Sequence, residues 1–170
     1  VTLAKHFGCA RFVYNKFLAA KINYYKRTGK SASYVKCAAA LTKLKKKLPW
    51  LAEVDATSLQ QALRNLDTAY QNFFRRCKQG AVPGFPRFKT RHDNRHSFRV
   101  VMSNAVTSNR LKVGKVGWIK YRGLCNTFPC GSKIQSITVS LNAAGDYYAS
   151  ILVKQDARVT DHKHKEYACG

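Results

Sequence analysis

Apolar residues recur three and four positions apart through the first half of the chain, and at every second position through much of the second half. From Phe7 to about Lys26, the spacing of Val13, Phe17, Ala20 and Tyr24 predicts one helix. Thr28-Gly29-Lys30-Ser31 is a stop followed by a fresh start. Tyr34, Ala38, Leu41, Leu44 and Leu48 form a second stripe, which Pro49 ends, with Lys43, Lys45, Lys46 and Lys47 on its outer face. A third stripe runs through Leu59, Leu63, Leu66, Tyr70, Phe73 and Cys77. Asp55 or Thr57 can cap its start. Arg75, Arg76 and Lys78 crowd its last turn, where cations suit the helix dipole, and Gly80 ends it.

The period then changes to two. Phe98, Val100 and Met102 alternate with Arg99 and Val101, and Leu111 and Val113 flank Lys112. Trp118 to Tyr121 reads as a further short strand. Ile137, Val139 and Leu141 lead into Asn142-Ala143-Ala144-Gly145-Asp146, a hairpin turn by composition, from which Tyr147, Ala149, Ile151 and Val153 return. Several short strands with Gly-rich turns predict a small, partly open antiparallel β-barrel. The fold class is therefore α+β: a three-helix bundle over 1–80, a Pro-rich basic connector over 81–97, the barrel over 98–156 and a polar linker or tail over 157–170.

Charge narrows the partners. Lys and Arg number 31 against 8 Asp and Glu, a formal net charge of +23. A folded domain repels itself at that charge unless a polyanion neutralises it, which points to nucleic acid. No signal peptide, long apolar run or amphipathic membrane anchor is visible, so no membrane partner is expected. The six cysteines include no zinc-ribbon pairs, and Cys37 and Cys77 fall on apolar helix faces and read as small core residues. A site assembled from Cys125, Cys130, His162, His164 and Cys169 needs a loop and a tail to converge, so no metal is assigned. His6, His92 and His96 have no paired carboxylate or thiolate and read as surface or RNA-facing residues. A reducing cytoplasm, that of a prokaryote, is the expected compartment.

Three stretches carry a likeness. The first is Phe7-Gly8-Cys9-Ala10-Arg11-Phe12-Val13-Tyr14-Asn15. The second is Leu59-Gln60-Gln61-Ala62-Leu63-Arg64-Asn65-Leu66, followed by Ala69-Tyr70 and Phe73-Phe74. The third is Gly84-Phe85-Pro86-Arg87-Phe88-Lys89, with Ser97-Phe98-Arg99 after it and Ile137-Thr138-Val139 near the end. In order and spacing they resemble the N-terminal half of the TnpB (OrfB-type) family, insertion-sequence proteins once called transposases and now understood as RNA-guided DNA endonucleases related to type V CRISPR effectors.

The resemblance implies that the bundle is a recognition lobe and the barrel a wedge domain, with guide RNA and target double-stranded DNA as partners. Pro83 and Pro86 hold the connector extended. Phe85 and Phe88 are expected to seat in the crevice between the lobes, by packing or by base stacking, while Arg87, Lys89 and Arg91 face phosphates. Further expected RNA or phosphate contacts are Lys43, Lys45, Lys46, Lys47, Arg75, Arg76 and Arg99, and also Arg11 and Asn15, which either touch RNA or brace the bundle. The short target-adjacent DNA motif is read, in the family's registers, by Tyr34, Thr57, Gln60, Ser103 and Asn104. Gln60 and Asn104 carry amides suited to an adenine edge, and Thr57 a methyl suited to thymine.

The departures concern catalysis. The family's basic opening strand, its RuvC-type Gly-x-Asp-x-Gly strand and its zinc module find no match here. The acids Glu53, Asp55, Asp67, Asp93, Asp146, Asp156, Asp161 and Glu166 form no clustered set for two-metal cleavage. The chain is thus expected to lack catalytic residues and cofactor, the divalent magnesium belonging to the family's absent nuclease domain. Two alternatives stay open: a nuclease-dead guided repressor, and a stand-alone basic RNA-binding protein.

Overall fold

A computed structural model describes residues 2–93, 96–101, 105–107, 109–122 and 133–154. Three helices come first, α1 (Leu3–Thr28), α2 (Tyr34–Lys47) and α3 (Ala56–Lys78), with a 3-10 turn at Pro49–Ala52 before the third. Local chemistry sets their ends. Gly29 takes the left-handed conformation (φ 65°) and donates its N–H to the Tyr25 carbonyl, closing α1. The Ser33 hydroxyl accepts from Lys36 N–H to open α2, and the Asp55 carboxylate accepts from Thr57 N–H at 2.9 Å to open α3. Asp55, not Thr57, is therefore the cap.

Six strands follow. β1 (His96–Val100), β5 (Lys133–Leu141) and β6 (Tyr147–Lys154) form an antiparallel sheet in the order β1-β5-β6. β2 (Ala105–Val106), β3 (Arg110–Val113) and β4 (Gly117–Lys120) form a second, in the order β2-β3-β4. Among the described residues the expected open barrel takes the form of these two small sheets. Phe98 pairs with Val139 and Val100 with Ile137, and those two continue to Ala149 and Ile151, so one face of the first sheet is apolar. The predicted β5–β6 turn is present: Asp146 N–H donates to Asn142 Oδ1 at 2.8 Å, and Gly145 carries φ 90°.

One apolar core runs through helices and sheets, from Val13, Leu18, Leu59 and Leu66 to Val100, Val113 and Ile137. Burying each such side chain stabilises by about 1.5–3 kcal/mol. The actual α1 stripe is Phe7, Ala10, Val13, Tyr14, Phe17, Leu18 and Lys21, whereas Ala20, expected on it, is exposed. Cys37 is buried as expected, but Cys77, in the last turn of α3, is exposed.

The helix–sheet joint explains His6, which is fully buried and not a surface residue. Its ring stacks on Phe98 at 4.8 Å, its Nε2 accepts the Asp55 N–H at 3.2 Å, and its Nδ1 lies 3.4 Å from the Thr2 carbonyl. Accepting at Nε2 requires the neutral ring, with the proton on Nδ1. Burial lowers its pKa below the ordinary 6.5, against opposing pulls from the Thr2 carbonyl and Asp55. Phe7 packs edge-on against Phe98 beside it. Thr57 completes the joint, its hydroxyl donating to Asp55 Oδ1 at 2.7 Å and accepting from Val101 N–H at 3.3 Å.

Candidate nucleic-acid interface

The described acids are all committed internally. Glu53 pairs with Lys5, Asp55 caps α3, and Asp67 bonds Lys21 and Gln71. Asp93 holds a tight turn by accepting from the Thr90 N–H and hydroxyl, bonds that keep its carboxyl below the usual range, and Asp146 closes the β-hairpin. These acids sit on separate elements, and among the described residues no group of three His, Cys, Asp or Glu side chains is placed to hold a metal. Asp156, Asp161 and Glu166 lie outside the described residues, as do Cys125, Cys130, His162, His164 and Cys169. Among the described residues only Lys5 and Lys21 form salt bridges.

Two of the expected contact groups are brought together. Between α2 and α3 lies a groove of about 630 Å³, lined by Val35, Ala38, Ala39, Leu41, Thr42, Ala52 and Ala56, with Lys45, Lys46 and Gln60 among them. The alanines keep the floor low, and Gln60, which is exposed, lines the same groove as Lys45 and Lys46. Lys43 and Lys47 are exposed on the same helix outside the groove. Tyr34, at the start of α2, is half-buried and does not line the groove, with the Arg64 guanidinium 5.9 Å from its ring centre. Thr57 sits at the joint, its hydroxyl used as above, and Ser103 and Asn104 lie outside the described residues.

The second group gathers where α1, α3, the connector and β1 meet. Arg11, Lys89 and Arg99 line a crevice of only about 30 Å³, together with Gln61, Asn65, Asp93 and His96. That volume is about one water's share of the liquid, so it admits solvent but no base. Arg99 is held in place by Ser136, whose buried hydroxyl accepts from Nε at 2.9 Å and Nη2 at 2.7 Å. The Lys89 ammonium turns inward over the Tyr14 ring at 4.5 Å. Although the residue is largely solvent-accessible, desolvation there lowers the ammonium's pKa, and Asp93 opposes the shift. Asn15 ties α1 to the connector: its Nδ2 donates to the Lys89 carbonyl at 2.8 Å and its Oδ1 accepts from Lys89 N–H at 2.9 Å.

The connector phenylalanines do not seat between the lobes. Phe85 packs edge-on against Tyr70 and Phe73 at the end of α3, and Phe88 is 54% exposed. The buried residue of the segment is Pro86, and the anchor is the Asn15 amide. Arg87 and Arg91 are exposed on this strap, and Arg75 and Arg76 on the last turn of α3.

Sequence reasoning missed Lys21, buried with its ammonium 3.3 Å from Asp67 and 4.8 Å from the Tyr70 ring centre. A lysine in the α1 stripe and an acid in the middle of α3 were the signal.

A family model described as the OrfB/IS605 helix-turn-helix domain matches residues 1–30, a span that includes α1 and its glycine cap. A "Putative RNA-guided DNA endonuclease" of Streptomyces pristinaespiralis is 35% identical over 153 residues, covering 88% of this chain and 37% of the relative. InsQ of Escherichia coli K12, which bears the same description, is 33% identical over 159 residues, 91% of this chain and again 37% of the relative. Virulence protein VsdF of Salmonella dublin is 37% identical over 99 residues, 53% of this chain and 81% of that protein. The chain thus spans little more than a third of the length of the first two relatives. Among the described residues no helix is long and apolar enough to cross a membrane. From the OrfB match, the near-complete alignment to two RNA-guided DNA endonucleases, and the three motifs set on α1, α3 and the connector, the chain belongs to the TnpB (OrfB-type) family of insertion-sequence proteins.

Proposed function

We propose that this chain is a nucleic-acid-binding unit of an RNA-guided DNA endonuclease system, binding guide RNA and reading a short DNA motif beside the target through the α2–α3 groove. The observation that carries the reading is that Gln60, Lys45 and Lys46 all line one open groove. An amide pairs bidentately with an adenine edge in the major groove, while ammonium groups hold the flanking phosphates without regard to sequence. In guided systems base pairing reads most of the target, and the protein supplies contact with shape and a short flanking motif.

The test is target binding by the RNA-loaded protein across a library of flanking duplex motifs. Gln60→Ala relaxes preference at one base position by about 1–3 kcal/mol. Lys45→Ala weakens all sequences alike and reduces the salt slope by about one. An unchanged motif in Gln60→Ala places base readout elsewhere. Affinity for RNA of the transposon end falls steeply with salt because bound cations release counterions, and a flat response refutes the RNA role.

A further inference from the structure

The C-terminal ends of α1 and α3 run side by side, since His6 meets Asp55 at their starts and Lys21 meets Asp67 further along. Between these ends and the connector opens a groove of about 440 Å³, whose lining includes Tyr25, Lys26, Tyr70, Phe73, Phe74 and Phe85. Pockets of this size accept small planar ligands. Phe73 meets Phe74 at 5.2 Å and Phe85 at 5.3 Å, and Tyr70 meets Phe85 at 5.7 Å, so the rings brace one another into a fixed wall. Tyr25 is 61% and Phe74 47% exposed, which leaves ring surface open to solvent.

Charge identifies the occupant. Among the described residues no acid lines the groove. Lys26 stands at its edge, Lys21 lies under Tyr70 with its charge answered by Asp67, and Arg75 and Arg76 follow Phe74 on α3. Open rings beside unneutralised cations suit a flat aromatic group tethered to a negative charge, which is a nucleobase on its phosphodiester strand. A DNA duplex keeps its bases paired and stacked, whereas RNA presents unpaired bases in loops, bulges and ends, where proteins stack them on aromatic side chains. We propose that this groove takes one unpaired base of an RNA strand, stacked on Phe74 and Tyr25, with its phosphate at Lys26. The inference rests on the chain's binding RNA but on none of the residues assigned above to the DNA motif.

The experiment is fluorescence anisotropy with labelled oligouridine, a perfect RNA duplex of equal length and the matching single-stranded DNA, at several salt concentrations. Phe74→Ala and Tyr25→Ala each lower affinity for oligouridine by about 5- to 150-fold, the range measured for base–aromatic stacking. The salt slope stays unchanged because no cation is removed, and duplex RNA binds as to the wild type. Phe74→Trp retains affinity, while Phe74→Leu, which keeps the apolar bulk and the fold, loses it. Lys26→Ala lowers the salt slope instead. Equal affinity of Phe74→Leu and wild type for oligouridine overturns stacking, as does an equal loss on duplex. An equal loss with single-stranded DNA overturns the assignment to RNA, and release of anionic phospholipid vesicles by Phe74→Ala overturns it in favour of a lipid surface. Wild type that binds no RNA at all refutes the proposed function as well, so the two failures are distinguishable.

Discussion

Asn15→Ala tests whether a single amide straps the connector to the bundle. The Asn15 side chain makes two hydrogen bonds to the backbone of Lys89, 74 positions away, at 2.8 and 2.9 Å. Each bond contributes about 0.5–1.5 kcal/mol net, and water can replace both at this exposed site, so the loss sums to about 1–2 kcal/mol. For a chain of this length that lowers the melting temperature by about 2–8 °C. The larger effect is local. Opening of the strap becomes about 5- to 30-fold more frequent if the whole loss falls on the segment, and trypsin cleavage after Arg87, Lys89 and Arg91 accelerates by the same factor. Asn15→Asp retains the acceptor for the Lys89 N–H but sets a carboxylate against the Lys89 carbonyl, so it digests at least as fast as wild type. Time-resolved digestion with mass-spectrometric site assignment, beside thermal unfolding, gives both quantities. Connector sites cut at the wild-type rate in Asn15→Ala would show that the prolines alone hold the strap.

Three further outcomes follow from buried groups. Because burial lowers the His6 pKa in the folded state, the unfolded chain takes up a proton first as pH falls through 6.5; stability is fully present above that value and is lost below it. His6→Asn is less stable at neutral pH but shows a flatter fall in melting temperature over the same range, and identical profiles would contradict the joint described for His6. A Cβ on Gly114, which sits at φ 43°, would run into the Asp55 carboxylate and the Val100 side chain. Gly114→Ala therefore costs about 2–3 kcal/mol, from strain and a displaced cap, whereas Gly29→Ala, with open space around it, costs about 1 kcal/mol; urea denaturation measures both. Lys21→Ala costs about 2–4 kcal/mol by vacating a buried site, while Asp67 keeps its bond to Gln71, and Lys21→Met recovers much of this by refilling the space, as equilibrium denaturation will report.

Much of this protein is written in local pattern. The 3.6-residue period marked α2 and α3, and Gly29, Ser33 and Asp55 ended or opened helices because their chemistry acts within one turn. Alternation marked Phe98, Val100, Leu111, Val113, Ile137 and Val139 as strand residues facing a core, and all six are buried. The excess of cations and the motifs on α1, α3 and the connector pointed to a nucleic-acid partner and to the family without any coordinates.

Tertiary structure decided what periodicity cannot carry. A stripe says which face of a helix is apolar, not what covers it or for how far, so His6 went inside against Phe98 while Ala20 and Cys77 came out. A polar side chain declares its role only through partners distant in sequence. Asn15 became a strap through Lys89, Thr57 a joint through Val101, and Lys21 a buried cation through Asp67. The gathering of Gln60 with Lys45 and Lys46, and of Tyr25 with Phe74, depends on how three helices pack, a sum of many weak contacts that no single segment encodes.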